Sequence, residues 1–473
     1  MASTVLAGRF ALRLVVVAAT LLAASCSSNP VTKVAGAIAG SGKDKKEDNA
    51  PKEEDRISIL ALEQTLEADP RYAGAEVKLP PAYRNPAWPQ PGGEADHTLH
   101  HLNAAGTFKE VWKTKIGEAG QRAVLTSPPV AADGIIYVMD ARADISAYKM
   151  ETGERVWRTK MTPDIDERFR LREFLSRPDP AEIGFGGGVA LDAGKLIVTS
   201  GFGFIAALNA ETGEEIWKTK TEAPIRTPPT AYRGAVYAIT NTNKMVVLDE
   251  ETGEQKWNFQ SFEESARILS SASPAAAGDL VVAPFSSGEV VALLADSGKA
   301  LWNDTLTRNA NLTALASLND IAGSPVIDRG LVYVVSHAGR FTAIDIRSGQ
   351  PVWEVPLASL QMPWVAGDYI FIVSVDAELV CISRNDGAIV WISKLRRYEK
   401  EKKRKNRISW AGPVLAGDGL ILVSTHGEIV KVSPQTGEVM ETKKIGDGFI
   451  VPPIVADEMV FVLSEEGKLI ALR

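Results

Sequence analysis

Three histidines, His97, His100 and His101, lie close enough together to suggest a metal site. No thiol or patterned carboxylate accompanies them, so solvated or capping roles suit them better. His337 and His426 fall in matching tight turns between strands and read as turn residues. The chain has 2 cysteines. Cys381 sits in the apolar run Glu378-Leu-Val-Cys-Ile382 and reads as a buried free thiol acting as a small hydrophobe. No Gly-rich phosphate loop, His-Glu-x-x-His helix or Gly-x-Ser-x-Gly elbow is present. Acidic residues are plentiful, but many fall in hairpin corners, where Asp and Glu are turn chemistry. No catalytic, metal-binding or cofactor-binding set is therefore expected, and the chain reads as non-enzymatic.

The elements that carry these residues are repeats. Ile205 to Trp217 contains Asn-Ala-Glu-Thr-Gly213 followed four residues later by Trp217, and the same offset joins Gly153 to Trp157 and Gly253 to Trp257. It recurs from Gly298 to Trp302, Gly349 to Trp353 and Gly387 to Trp391. A seventh copy, ending at Gly437, has Glu441 in the tryptophan's place. Each copy reads as a hairpin whose glycine supplies a left-handed backbone position. The tryptophan on the returning strand is expected to fill the gap to the next repeat. Successive copies lie 38 to 60 residues apart, the range of four-stranded propeller blades.

Ahead of each hairpin a Pro or Gly corner precedes an apolar run, as at Ser127-Pro-Pro129, Thr227-Pro-Pro229, Ser324-Pro325 and Val451-Pro-Pro453. Eight such first strands are countable. The chain stops at Lys468 to Arg473, the third strand of an eighth copy, while Phe108 to Lys115 carries Trp112 with no hairpin before it. The expected fold is all-β: an eight-bladed propeller of four-stranded antiparallel blades over residues 107–473, closed by an N-terminal strand. Closure of that kind removes both free sheet edges. Trp112, Trp157, Trp217, Trp257, Trp302, Trp353 and Trp391 are the expected blade-docking side chains.

A net charge of −7 argues against nucleic acid as the main partner. Residues 1–25 read as a signal peptide: Arg9 and Arg13, the apolar run Leu14 to Ala24, then Cys26. A cysteine there resembles a bacterial lipobox, although Ala23 stands where leucine is usual. Cys26 is thus the expected lipidation (palmitate) site, the alternative being an ordinary signal peptide with an incidental cysteine. With Ser27-Ser-Asn29 following, the expected address is the outer membrane, lipid-anchored and facing the periplasm of a Gram-negative bacterium. Residues 26–56 are polar and charge-mixed and read as a disordered tether. Residues 57–106 comprise a helix candidate at Ile57 to Leu66 and a Pro-rich extension, in which Trp88 is expected on the propeller rim. Two inter-blade loops are long. One spans Thr159 to Ile183; the other, Lys394 to Arg407, holds nine basic residues against Glu399 and Glu401. The basic loop reads as solvated, or as a contact for acidic headgroups, polysaccharide or a partner.

The Ala-x-Asp-x-x-Thr-Gly-x-x-x-Trp hairpin resembles the blade signature of the quinoprotein-like propellers. That superfamily holds pyrroloquinoline-quinone dehydrogenases and non-enzymatic relatives, and the adjacent cysteine pair typical of the dehydrogenases is absent here. The signal, Cys26, eight blades and the borrowed strand resemble the BamB-type lipoproteins of the outer-membrane β-barrel assembly machinery, over roughly four-fifths of the chain. The resemblance implies a monomeric scaffold, within a larger complex, that binds the periplasmic repeat domains of a BamA-type barrel protein and aids insertion of outer-membrane proteins. It implies contacts through the loops at Phe259 to Leu269 and Thr305 to Gly323, with Ile268, Leu269 and Asp320 as partner-binding residues. Leu269 replaces a basic residue of the family pattern, and Ala322 a second acid. Alternatives are a quinone-dependent dehydrogenase and a propeller lipoprotein serving another envelope partner.

Overall fold

The computed structural model describes residues 66–104, 106–120, 124–163, 184–264, 272–306 and 320–473. Cys26, the tether, the helix candidate up to residue 65, Ile268, Leu269 and most of the Thr159 to Ile183 loop lie outside them. Eight four-stranded antiparallel sheets form the blades. Blade 1 shows the plan: Val130–Ala132, Ile135–Met139, Ile145–Lys149 and Arg155–Thr159 pair in chain order. Second and third strands are almost wholly buried because neighbouring blades cover both of their faces. Fourth strands of blades 1 to 3 alternate between half-buried and exposed positions, as rim strands facing water do, whereas that of blade 6, Ile389–Lys394, is mostly buried.

The first strands are innermost. Val130–Ala132, Gly187–Asp192, Thr230–Tyr232, Ala275–Ala277, Val326–Asp328, Trp364–Ala366, Trp410–Ala416 and Ile454–Ala456 touch one another in a closed circle. Blade 8 is completed by Glu110–Lys115, which pairs antiparallel with Lys468–Leu472 and sets Trp112 opposite Ala471. Between blades 6 and 7 an additional ribbon pairs Tyr398–Lys400 with Lys405–Arg407. The expected eight-bladed architecture and its closing strand are thus observed.

The fixed glycine-to-tryptophan offset has a geometric cause. Each tryptophan follows a bulge in its fourth strand, as between Val247 and Leu248 opposite Trp257. It then lies over the hairpin glycine of the next blade. A Cβ on Gly153, Gly213, Gly253, Gly298, Gly349, Gly387 or Gly437 would fall 2.4–2.8 Å from the ring of the preceding tryptophan. Gly253 also holds φ +71°, so both conformation and space require glycine there. Each indole N–H donates to a carbonyl three residues ahead of that glycine, at 2.8–3.1 Å. The seven tryptophans find seven hairpin glycines. Glu441 on blade 7 breaks the series because blade 8 has no such hairpin: its third and fourth strands come from opposite ends of the propeller.

Candidate functional site

In an antiparallel blade the turns joining strands 1–2 and 3–4 lie at one end, and the remaining connections at the other. The two ends of this ring differ sharply. At the hairpin end, the segment 84–102 runs once around the channel and meets the blades in their spatial order. Asn85 accepts from Asp457 N at 2.7 Å and donates to Val455 O at 3.1 Å, on blade 8. Trp88 exchanges two backbone hydrogen bonds with Ala131 of blade 1, at 2.6 and 2.8 Å. Pro89 O accepts from Leu191 N of blade 2. The Gln90 amide donates to Leu191 O and Ala231 O and accepts from Ala231 N of blade 3. Ala95 O and Asp96 O take the amides of Ala276 and Ile327, on blades 4 and 5. Trp364 Nε1 of blade 6 donates to His100 O at 2.7 Å, and Leu102 bonds Leu415 and Gly417 of blade 7.

The chemistry behind this circuit is edge satisfaction. First strands present a free edge of N–H and C=O groups to the channel, and an unpaired buried backbone group is costly. The extension supplies the missing partners without a strand of its own. Trp88 is corrected from the rim to the interior: it is 2 % exposed and stacks on Trp364 at 6.2 Å. Against this plug lies a cavity of about 40 Å³, lined by Trp88, Gln361, Trp364 and Pro452 among others.

The histidines need correction too. His97 is buried, not solvated: its Nδ1 lies 2.6 Å from Pro325 O and its Nε2 3.3 Å from Ser273 Oγ. A carbonyl only accepts, so Nδ1 carries the hydrogen and Nε2 accepts from the serine. His101 bridges the Pro80 and Gly417 carbonyls at 2.7 and 2.8 Å. His97 and His101 join the extension to the blades through their rings and His100 through its backbone carbonyl, and among the described residues no group of His, Cys, Asp and Glu is arranged to hold a metal ion. Cys381 is fully buried, which pushes its thiol well above the ordinary range.

Burial drives the His97 pKa down to about 4. In the unfolded chain the ring titrates near its ordinary value, about 6.5. The stability that neutral His97 contributes is therefore full above that value and is lost as pH falls towards 4. Between pH 7 and pH 5 the loss is on the order of 2 kcal/mol. His97→Gln is expected to flatten that part of the stability–pH curve, measured by denaturant melts; parallel curves would contradict the assignment.

The other end carries the inter-blade connections. Asp320 is 4 % exposed, and its carbonyl accepts from His337 N at 3.1 Å, so it faces inward. Ile321 and Ala322 beside it are buried as well. Phe262, in the connection from blade 3 to blade 4, is 75 % exposed. Its backbone is nevertheless fixed, because the fully buried Asn243 donates from Nδ2 to Phe262 O at 2.6 Å. The fixing extends inward: Ser261 and Ser287 both donate to Glu289, and Ser286 donates to Asn243. A rigidly presented aromatic at a surface is a common interface anchor. Its only sequence signal was an aromatic in a polar connection, Gln-Ser-Phe-Glu-Glu. Near the channel mouth a second cavity of about 290 Å³ is lined by Leu125, Leu360, Trp410, Phe449 and Ile450.

Eight blades, a borrowed closing strand and a docked tryptophan at each hairpin glycine define a quinoprotein-like propeller whose channel is filled from one end. A family model for the outer membrane protein assembly factor BamB matches residues 95–168, 143–393 and 398–473, and the chain belongs to that family. The outer membrane protein assembly factor BamB of Burkholderia pseudomallei is 26 % identical over 370 residues, 77 % of this chain and 88 % of that one. Among solved structures, BamB from Moraxella catarrhalis superposes with a TM-score of 0.63 at 18 % identity, covering 78 % of this chain and 100 % of its own. A europium-containing methanol dehydrogenase reaches a TM-score of 0.64 at 15 % identity, covering 80 % and 89 %. These structural likenesses establish the fold.

Proposed function

We propose that this chain is a non-enzymatic scaffold of outer-membrane protein assembly, anchored to the outer membrane through acylated Cys26 and facing the periplasm. In this reading it binds the periplasmic repeat domains of a BamA-type barrel protein and aids insertion of outer-membrane proteins. Family membership across nearly the whole propeller supports the role. The observation that carries the docking site is Phe262, an exposed aromatic on a fixed backbone within the Phe259 to Leu269 connection that ends in Ile268 and Leu269. Asp320 is buried, so we assign it a supporting position beneath the neighbouring connection. The dehydrogenase alternative is disfavoured by the sequence, which lacks the adjacent cysteine pair typical of those enzymes.

Phe262→Ala is expected to weaken binding to the barrel protein's periplasmic repeats by about 2 kcal/mol or more. Ile268→Glu with Leu269→Glu is expected to abolish it, because unpaired carboxylates would be desolvated in an apolar contact. Calorimetric titration checks both, with melting temperatures as the control for folding. Unchanged affinity in folded variants would remove this docking site, and quinone-dependent dye reduction by the purified protein would overturn the scaffold role.

A further inference from the structure

The ribbon between blades 6 and 7 rises from the connection end of the ring, at a different blade junction from Phe262. The arginines at its base are ion-paired. Arg396 pairs with Glu428 at 2.7 Å, Arg397 pairs with Asp376, and Arg407 reaches Asp376 at 3.6 Å and donates to Val375 O. Its own acids are hydrogen-bonded within the ribbon. Glu399 accepts from Asn406 Nδ2, and Glu401 accepts from the amides of Arg397 and Tyr398 at 3.1 Å. The tip therefore carries Lys400, Lys402, Lys403, Arg404 and Lys405, all exposed and, among the described residues, without an ion-pair partner. Arg404 holds φ of +47°, a backbone position that glycine would fit more easily.

We propose that this tip is a contact for the phosphate groups of an anionic lipid surface. Its composition decides between occupants. Protein interfaces are depleted in lysine and are anchored by buried aromatic or apolar groups. The tip is four lysines and an arginine, with no exposed aliphatic or aromatic residue from Glu399 to Arg407. Clustered lysines near a membrane act as point charges that need no shape complementarity, which suits a fluid layer of phosphates. The ribbon's hydrogen bonds hold those charges together before contact, against a chain that is otherwise net acidic. The proposal stands independently of the docking role of Phe262.

The test is co-sedimentation of the full chain with phosphatidylglycerol-containing and pure phosphatidylcholine vesicles. Each cation near such a surface strengthens binding about fivefold. Replacing Lys400, Lys402, Lys403 and Lys405 by Gln is therefore expected to lower the preference for the anionic vesicles roughly six-hundredfold. Replacing the same four by Arg is expected to retain it, and added salt to erase it. Residues 1–65 are common to every sample, so they cancel in the comparison. No preference for the anionic vesicles, or equal preference in the Gln variant and the parent, would overturn the proposal. So would a Gln variant that keeps the vesicle preference but loses a co-purifying acidic protein. Loss of barrel-protein binding in the Phe262→Ala variant, with vesicle binding intact, would separate the two surfaces.

Discussion

Trp88→Ala is expected to lower the unfolding free energy by about 3–5 kcal/mol, although Trp88 belongs to no blade. The side chain is 2 % exposed, stacks on Trp364 of blade 6, and its backbone pairs with blade 1. Removing it leaves a void at the ring's axis, where the surrounding strands are held by their own ladders and have little freedom to collapse. Deleting 84–102 should be worse still. It would bare the channel edges of first strands around the whole ring and strip the partners of Val455, Ala131, Leu191, Ala231, Ala276 and Ile327. Denaturant melts followed by near-UV circular dichroism give the result. An unchanged midpoint for Trp88→Ala would mean that the extension rests on a ring that does not need it.

Deletion of Glu110–Lys115 is the other change expected to be severe. The strand contributes a five-pair register with Lys468–Leu472, flanked by the mutual backbone hydrogen bonds of Lys109 and Arg473 at 2.9 Å. It also carries Trp112, which lies over Gly153 and 5.9 Å from Phe461. Loss of the half-buried tryptophan removes the ring over Gly153 and its indole hydrogen bond to Met150 O, and the lost strand bonds add to that. The opened ring would expose the edge of Lys468–Leu472, a template for pairing with a second chain. Light scattering after size exclusion should therefore show dimers or larger species together with a lower melting temperature. A monomer melting with the parent would contradict ring closure by this strand.

Glu441 shows how far sequence reasoning reached and where it stopped. The missing tryptophan was visible in the sequence, but its cause lies in the next blade, which has no hairpin glycine for a ring to cover. Six glycine-to-tryptophan offsets were legible because each is built from a short local pattern: a left-handed turn, a bulge and a strand. Local patterns repeat at readable spacing, so blade count, hairpins and the closing strand followed from the sequence.

The extension is the opposite case. Asn85, Trp88, Gln90 and His97 have no period of their own, and they looked like an irregular Pro-rich stretch with solvated histidines. Their partners are backbone groups of the innermost strands, spread over more than three hundred residues and similar in every blade. Nothing in the segment's composition encodes that a ring has a free inner edge; only closing the ring creates it. Phe262 and the ribbon tip follow the same rule. The sequence by itself determined that one connection holds a phenylalanine and another nine basic residues. Tertiary structure alone decided that buried Asn243 fixes the first in the open, and that ion pairs at the ribbon's base leave the second's charge concentrated at its end.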